Sequence, residues 1–112
     1  MLLFDSILTD FNENLLRSKR VVIAVFYATY CPFCSQFSNI FEKYSANSMF
    51  FFSKADITGD NNPYWEKFHI ETVPTLIAFK DNREVARKDS LLGVGLSEID
   101  LIKFLDSVRK FI

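Results

Sequence analysis

The two cysteines of the chain, Cys31 and Cys34, stand three apart in "VFYATYCPFCSQF", directly after an apolar run. Thiols at that spacing can pass electrons. A thiolate attacks a disulfide sulfur, and a second thiol then resolves the mixed disulfide that forms. If a helix begins at Cys31, Cys34 lies one turn on, on the same side, where its sulfur reaches the first. The helix start offers unpaired N–H groups and the positive end of the dipole, and both favour thiolate over thiol at Cys31. Cys34 sits deeper in the helix and is the expected resolver. Pro32 suits the opening turn, where a missing N–H costs little. It also stiffens the loop and removes one donor to the Cys31 sulfur. Phe33 projects from the loop, to pack or to meet a substrate.

Other uses of two thiols compete with this one. Structural zinc takes four protein ligands as a rule, and this chain supplies two thiols and one histidine, His69. A metal would therefore have to bridge two chains. A purely structural disulfide would close a loop too small to constrain the unfolded chain much. A chance pair of core cysteines is the third alternative, and the strand-to-helix context argues against it.

The pair must be positioned by the elements around it. "VVIAVFY", Val21 to Tyr27, is short, β-branched and continuously apolar, the pattern of a strand covered on both faces. After the cysteines, Phe37, Ile40, Phe41 and Tyr44 mark one face of a helix. Ahead of the strand, Phe4, Ile7, Leu8, Phe11 and Leu15 recur at helical spacing, with Asp5 or Ser6 as a cap, and predict an amphipathic first helix. "MFFFSKADI", Met49 to Ile57, reads as a second strand, Gly59 to Pro63 as a turn, and Tyr64 to Phe68 as a short helix. "VPTLIAFK", Val73 to Lys80, is a third strand, and Asp81-Asn82 turns into a fourth, Glu84 to Lys88. Ser97 caps a last helix with Leu101, Leu105 and Val108 on one face. A helical crossover makes the first two strands parallel, and a tight turn makes the last two antiparallel. The expectation is an α/β fold: one mixed sheet of four to five strands with helices on both faces.

At 112 residues the chain fits one domain, 1–112, and its 13 Phe, 4 Tyr and 1 Trp supply a core without disulfide staples. Thirteen basic residues balance fourteen acidic ones with no basic block, so nucleic acid is not an expected partner. Asp5 and Asp10 interrupt any signal-peptide core, and no stretch approaches the ~20 apolar residues of a membrane span. The expectation is a cytoplasmic monomer with no membrane partner.

Three blocks of the sequence resemble the thioredoxin superfamily: "VFYATYCPFC", "VPTLIAFKDNREV" and "GLSEIDLIKFLDSV", at similar spacing over roughly Leu15 to Lys110. The resemblance implies a thioredoxin fold and dithiol–disulfide exchange on protein substrates, with Cys31 as nucleophile and Cys34 as resolver. It implies that Pro74 is a cis proline facing the cysteines and that the Val73 backbone pairs with the substrate. Tyr30, Pro32, Phe33, Val73, Pro74 and the Gly93 to Gly95 loop would form an apolar rim. No cofactor is implied for the exchange, and a disulfide reductase would recycle the pair.

Departures from the family pattern qualify this. Typical thioredoxins carry Gly-Pro between the cysteines, where this chain has Pro32-Phe33, a pairing more like glutaredoxins and some bacterial disulfide oxidants. The family's buried Asp is replaced by Val25, while the strand lysine is present as Lys54. Lys54 is therefore expected to turn toward solvent, and water, Asp56 or Lys54 must take the Cys34 proton. The alternatives are a glutaredoxin-like or oxidising enzyme, and a non-catalytic binding module or metal-bridged dimer. Against glutathione use, the residues after Cys34 are Ser35, Gln36 and Phe37, not charged groups for its carboxylates. His69 is expected on a surface loop, and Trp65 partly in the core.

Overall fold

The computed structural model describes residues 8–47 and 49–112. Among the described residues five strands form one sheet: β1 (Leu8–Asp10), β2 (Val22–Tyr27), β3 (Phe51–Asp56), β4 (Thr75–Lys80) and β5 (Arg83–Asp89), in the order β1-β3-β2-β4-β5. Three α-helices accompany them: α1 (Pro32–Tyr44), α2 (Tyr64–Lys67) and α3 (Glu98–Val108). β2 pairs with β3 in parallel, and β4 runs antiparallel to both β2 and β5. Asp81 and Asn82 take φ of 53° and 65°, the left-handed pair that a two-residue hairpin needs.

The continuous apolar run of β2 has a simple cause. Val21, Ile23 and Val25 pack with Phe37 and Phe41 of α1 and with Leu101 and Leu105 of α3. Val22, Ala24 and Phe26 pack on the opposite face with Phe11, Phe68 and Ile70. With both faces covered, alternation disappears from the sequence. Tyr44 donates to Glu98 at 2.5 Å and Lys43 lies 3.2 Å from the same carboxylate, so α1 is tied to the start of α3. Ser97 and Asp100 close the expected cap as a reciprocal capping box.

Over the described residues, the first helix expected from the sequence does not form. Leu8–Asp10 pairs in parallel with β3, Leu8 opposite Phe52, and the Phe11 N–H continues the contact to the Lys54 carbonyl at 2.8 Å. Helical backbone follows only as a 3₁₀ turn over Glu13–Arg17, capped by the Asn12 side chain. The spacing of Phe11 and Leu15 was real, since both pack in one cluster. The open edge of β3, whose backbone groups need partners, accounts for the extended segment before it. Phe4, Ile7, Asp5 and Ser6 lie outside the described residues. Phe11 is held by edge contacts to Phe26, Tyr64 and Phe68, with centroids 5.3–6.0 Å apart.

Candidate active site

β2 ends at Tyr27, and the next turn delivers the cysteines to the rim of the sheet. Buried Ala28 accepts from the Cys31 N–H at 3.3 Å. Cys31 is the N-cap of α1, with extended backbone (φ −96°, ψ 113°), and Pro32 occupies the first turn. The Cys34 N–H donates to Cys31 Sγ at 3.3 Å, while the Cys34 and Ser35 N–H groups also reach the Cys31 carbonyl. Hence the helix start gives the first sulfur one backbone donor, the Cys34 N–H, at the positive end of the α1 dipole. Cys31 keeps 9% of its surface exposed and Cys34 only 2%, so an incoming disulfide meets Cys31 first. Both thiols are free.

The Val73–Pro74 bond is cis, and the Val73 carbonyl lies 3.7 Å from Cys31 Sγ. Thr72 fixes this segment to the neighbouring loop, its hydroxyl donating to the Ser90 carbonyl at 2.7 Å. Around Cys31 opens a hollow of about 460 Å³ whose walls include Tyr30, Phe33, Trp65, Val73 and Leu92. Pro74 itself is buried beneath it. Gly95 is packed under Phe33: a Cβ there would meet the Phe33 Cβ at 2.9 Å, and φ is +79°. Glycine is thus required twice over, by conformation and by space.

Sequence reasoning missed part of this wall. Trp65 is half-buried, and its Nε1 donates to the Ile57 and Gly59 carbonyls at 2.9 and 3.1 Å, which fixes the ring beside Cys31. Leu91 and Leu92 are exposed by 71% and 89% on a turn closed by the Leu91–Gly95 bridge. Two leucines next to "GVG" in a loop were the available signal. His69 is exposed, as expected, with φ of 54°.

Behind Cys34 the surroundings differ. Burial pushes its thiol up to about 12, and the hydrogen bond to Cys31 adds to the rise while the Ala28 backbone opposes it. Val25 lies in the core packed against α1. Lys54 does not turn out to solvent. It pairs with Glu42 of α1 at 3.5 Å and lies 5.2 Å over the Tyr27 ring, which itself packs against the cysteine cluster. With the partner acid replaced by Val25, a carboxylate on the helix and an aromatic face take its place. Asp56 is exposed and bonded to the Thr58 N–H and hydroxyl at 2.9 and 2.5 Å, which holds its carboxyl below the usual range. Thr58 in turn accepts from the Thr29 N–H at 2.8 Å. Asp56 therefore braces the turn before Cys31, and neither it nor Lys54 hydrogen-bonds Cys34. Polar Ser35, Ser38 and Asn39 line a second opening of about 360 Å³ that reaches Cys34.

Two free thiols at a helix start, beside a cis proline on a mixed sheet, have the geometry that thiol–disulfide exchange needs. The thioredoxin family model matches residues 5–107, and the chain belongs to that family. It is 31% identical to the thioredoxin of Mycolicibacterium smegmatis over 81 residues, 70% of this chain and 72% of that protein. With the thioredoxin of Coprinus comatus it shares 32% over 97 residues, 83% and 86% of the two chains. The structure of the short form of spinach chloroplast thioredoxin f superposes with a TM-score of 0.78 at 19% identity, covering 97% of this chain and 99% of that one. The chain is thus a thiol–disulfide oxidoreductase of the thioredoxin type. Among the described residues no group of three His, Cys, Asp or Glu is placed to hold a metal, and no helix is long and apolar enough to cross a membrane.

Proposed function

We propose that Cys31 attacks and Cys34 resolves, so that the chain reduces protein disulfides. The observation that carries this is the asymmetry of the pair: one sulfur at an open rim, accepting the N–H of the other residue, and one buried behind it. The Cys31 thiolate attacks a substrate disulfide, forming a mixed disulfide and releasing one substrate thiolate. Cys34 gives up its proton, attacks the Cys31 sulfur, and releases the second substrate thiolate. Two protons complete the substrate thiols, and the Cys31–Cys34 disulfide keeps the balance of two electrons removed from the protein. A disulfide reductase returns those electrons.

Tyr30, Pro32, Phe33 and Val73 form the substrate rim in this reading, with Pro74, expected there from the sequence, buried next to Val73 and supporting it. The Val73 backbone, outside the β4 ladder, pairs with the substrate segment. The Cys34 proton leaves to water through the opening beside Ser38 and Asn39, and Lys54 and Asp56 support the surroundings without taking it. The chain acts as one domain, as a cytoplasmic monomer, on protein substrates and not on nucleic acid or membranes. The test is the reduction potential of the pair together with turnover of a disulfide-bonded protein. A value near about −270 mV with turnover supports a reductant, whereas one near about −120 mV marks an oxidant. No exchange in either direction would sink the reading.

A further inference from the structure

The apolar hollow at Cys31 shares a wall with a second hollow. Trp65 forms part of its wall and also lines the second, of about 630 Å³, whose rim carries Asp60, Glu66 and Asn62. Glu71 lines the first hollow directly. Asp60, Glu66 and Glu71 are all exposed, and among the described residues none of these carboxylates is in an ion pair. The basic side chains on neighbouring elements are engaged elsewhere: Lys67 pairs with Glu13, and Arg87 with Glu84 and Asp89 while bonding the Phe68 and His69 carbonyls. The indole between the hollows is fixed through its Nε1.

A fixed indole face flanked by unpaired carboxylates suits a cation on an apolar stem. The stem covers the ring, and the charged head meets both the aromatic face and the acids. We propose that the substrates of this oxidoreductase are disulfide-bearing protein segments with lysine or arginine within a few residues of the attacked cysteine, the basic side chain lying along Trp65 toward Asp60, Glu66 and Glu71. The inference rests on the exchange activity proposed above and names its substrate class. The surface is continuous with the reactive sulfur, so charge matching acts on the encounter that precedes attack.

The test uses three peptides, each closed by one disulfide and identical except for Lys, Gln or Glu at the positions flanking the cysteine. Each is mixed with the full reduced chain, and the second-order rate of thiol loss is followed by quenched alkylation. The expected order is Lys, then Gln, then Glu, with Lys over Glu by about tenfold at low ionic strength, the low end of steering by local charge. The ratio should fall toward one in high salt. In the triple variant D60N/E66Q/E71Q it should also collapse toward one. Substituting Trp65→Leu should lower the Lys rate more than the Glu rate. Equal rates for all three peptides with the unaltered chain would overturn the substrate assignment while leaving disulfide exchange standing. No reaction with any peptide would overturn both.

Discussion

On the Cys31 side of the redox pair the sulfur faces an apolar hollow walled largely by loops; on the Cys34 side the sulfur itself is closed off by sheet and helix, beside a polar opening lined by Ser35, Ser38 and Asn39. Four separate segments meet at the first sulfur: the Tyr30 turn, the Trp65 helix, the Val73–Pro74 bend and the Leu91–Leu92 turn. Behind the second stand Ala28 and Tyr27, with Lys54 laid over the Tyr27 ring. Only two residues, Pro32 and Phe33, separate the two cysteines. In the proposed reaction the contrast divides the work between them: the open side would select and orient a disulfide, while the closed side would hold a protonated thiol in reserve until a mixed disulfide exists. Loops suit the first task because they vary without disturbing the sheet. Burial suits the second because it disfavours the charged form.

The strongest way to break this division is to remove one sulfur at a time. Cys31→Ser should abolish turnover of protein disulfides. Cys34→Ser should still react once, then stop with substrate attached. A Cys34→Ser variant that turns over at the normal rate would show that the closed side takes no part.

Crowding the open side comes next. Gly95→Ala places a methyl against Phe33 and forces a left-handed residue to carry it. Thermal unfolding should reveal a loss of about 1–3 kcal/mol, the usual cost of an overpacked or strained position. The rate of mixed-disulfide formation should fall as Phe33 shifts, and an unchanged rate would mean that Phe33 is not part of the rim.

A titration sharpens the closed side. The Cys34 thiol is raised in the folded state, whereas an unfolded cysteine ionises near about 8.5. Above that pH the unfolded chain binds fewer protons, so the stability of the reduced protein should fall as pH rises from about 8.5 toward about 12. Below about 8.5 this contribution is flat. The Tyr27, Tyr44 and Tyr64 hydroxyls are also raised and act in the same direction. The difference between the reduced chain and Cys34→Ser therefore isolates the thiol, and parallel pH profiles for the two would contradict the assignment.

The smallest effect is expected at Asp56. Its carboxyl is lowered by Thr58, so it adds stability above the unfolded value of about 3.9 and loses it as pH falls through the lower folded value. Asp56→Asn should remove that acid-side dependence. The group is exposed, so the cost near neutrality should stay below about 1 kcal/mol. A large loss of exchange activity in this variant would point instead to a direct part in proton transfer.

The closed side was the more legible one in the sequence. A β-branched run buried on both faces, followed by Cys-Pro-Phe-Cys, announces the strand, the helix start and the pairing of the sulfurs through local chemistry alone. The open side was less so, because its walls come from segments distant in sequence and their meeting depends on tertiary geometry. Trp65 read as partly core, and it does pack against the core cluster; that it also lines the hollow was not legible, since nothing local shows which part of a half-buried tryptophan stays open. Leu8–Asp10 read as helix because the spacing of Phe11 and Leu15 is helical, and the edge of β3 that draws the segment into the sheet is invisible locally. Lys54 was expected in solvent for the same reason: Glu42, its partner, lies on a different element.

The division of labour between the sulfurs is tested most directly by trapping. The reduced Cys34→Ser chain is mixed with a disulfide-bonded protein, the products are digested without reductant, and the attachment site is read by mass spectrometry. The account predicts a stable mixed disulfide on Cys31, absent when the unaltered chain is used. No adduct at Cys31, with continued turnover of the substrate, would contradict it.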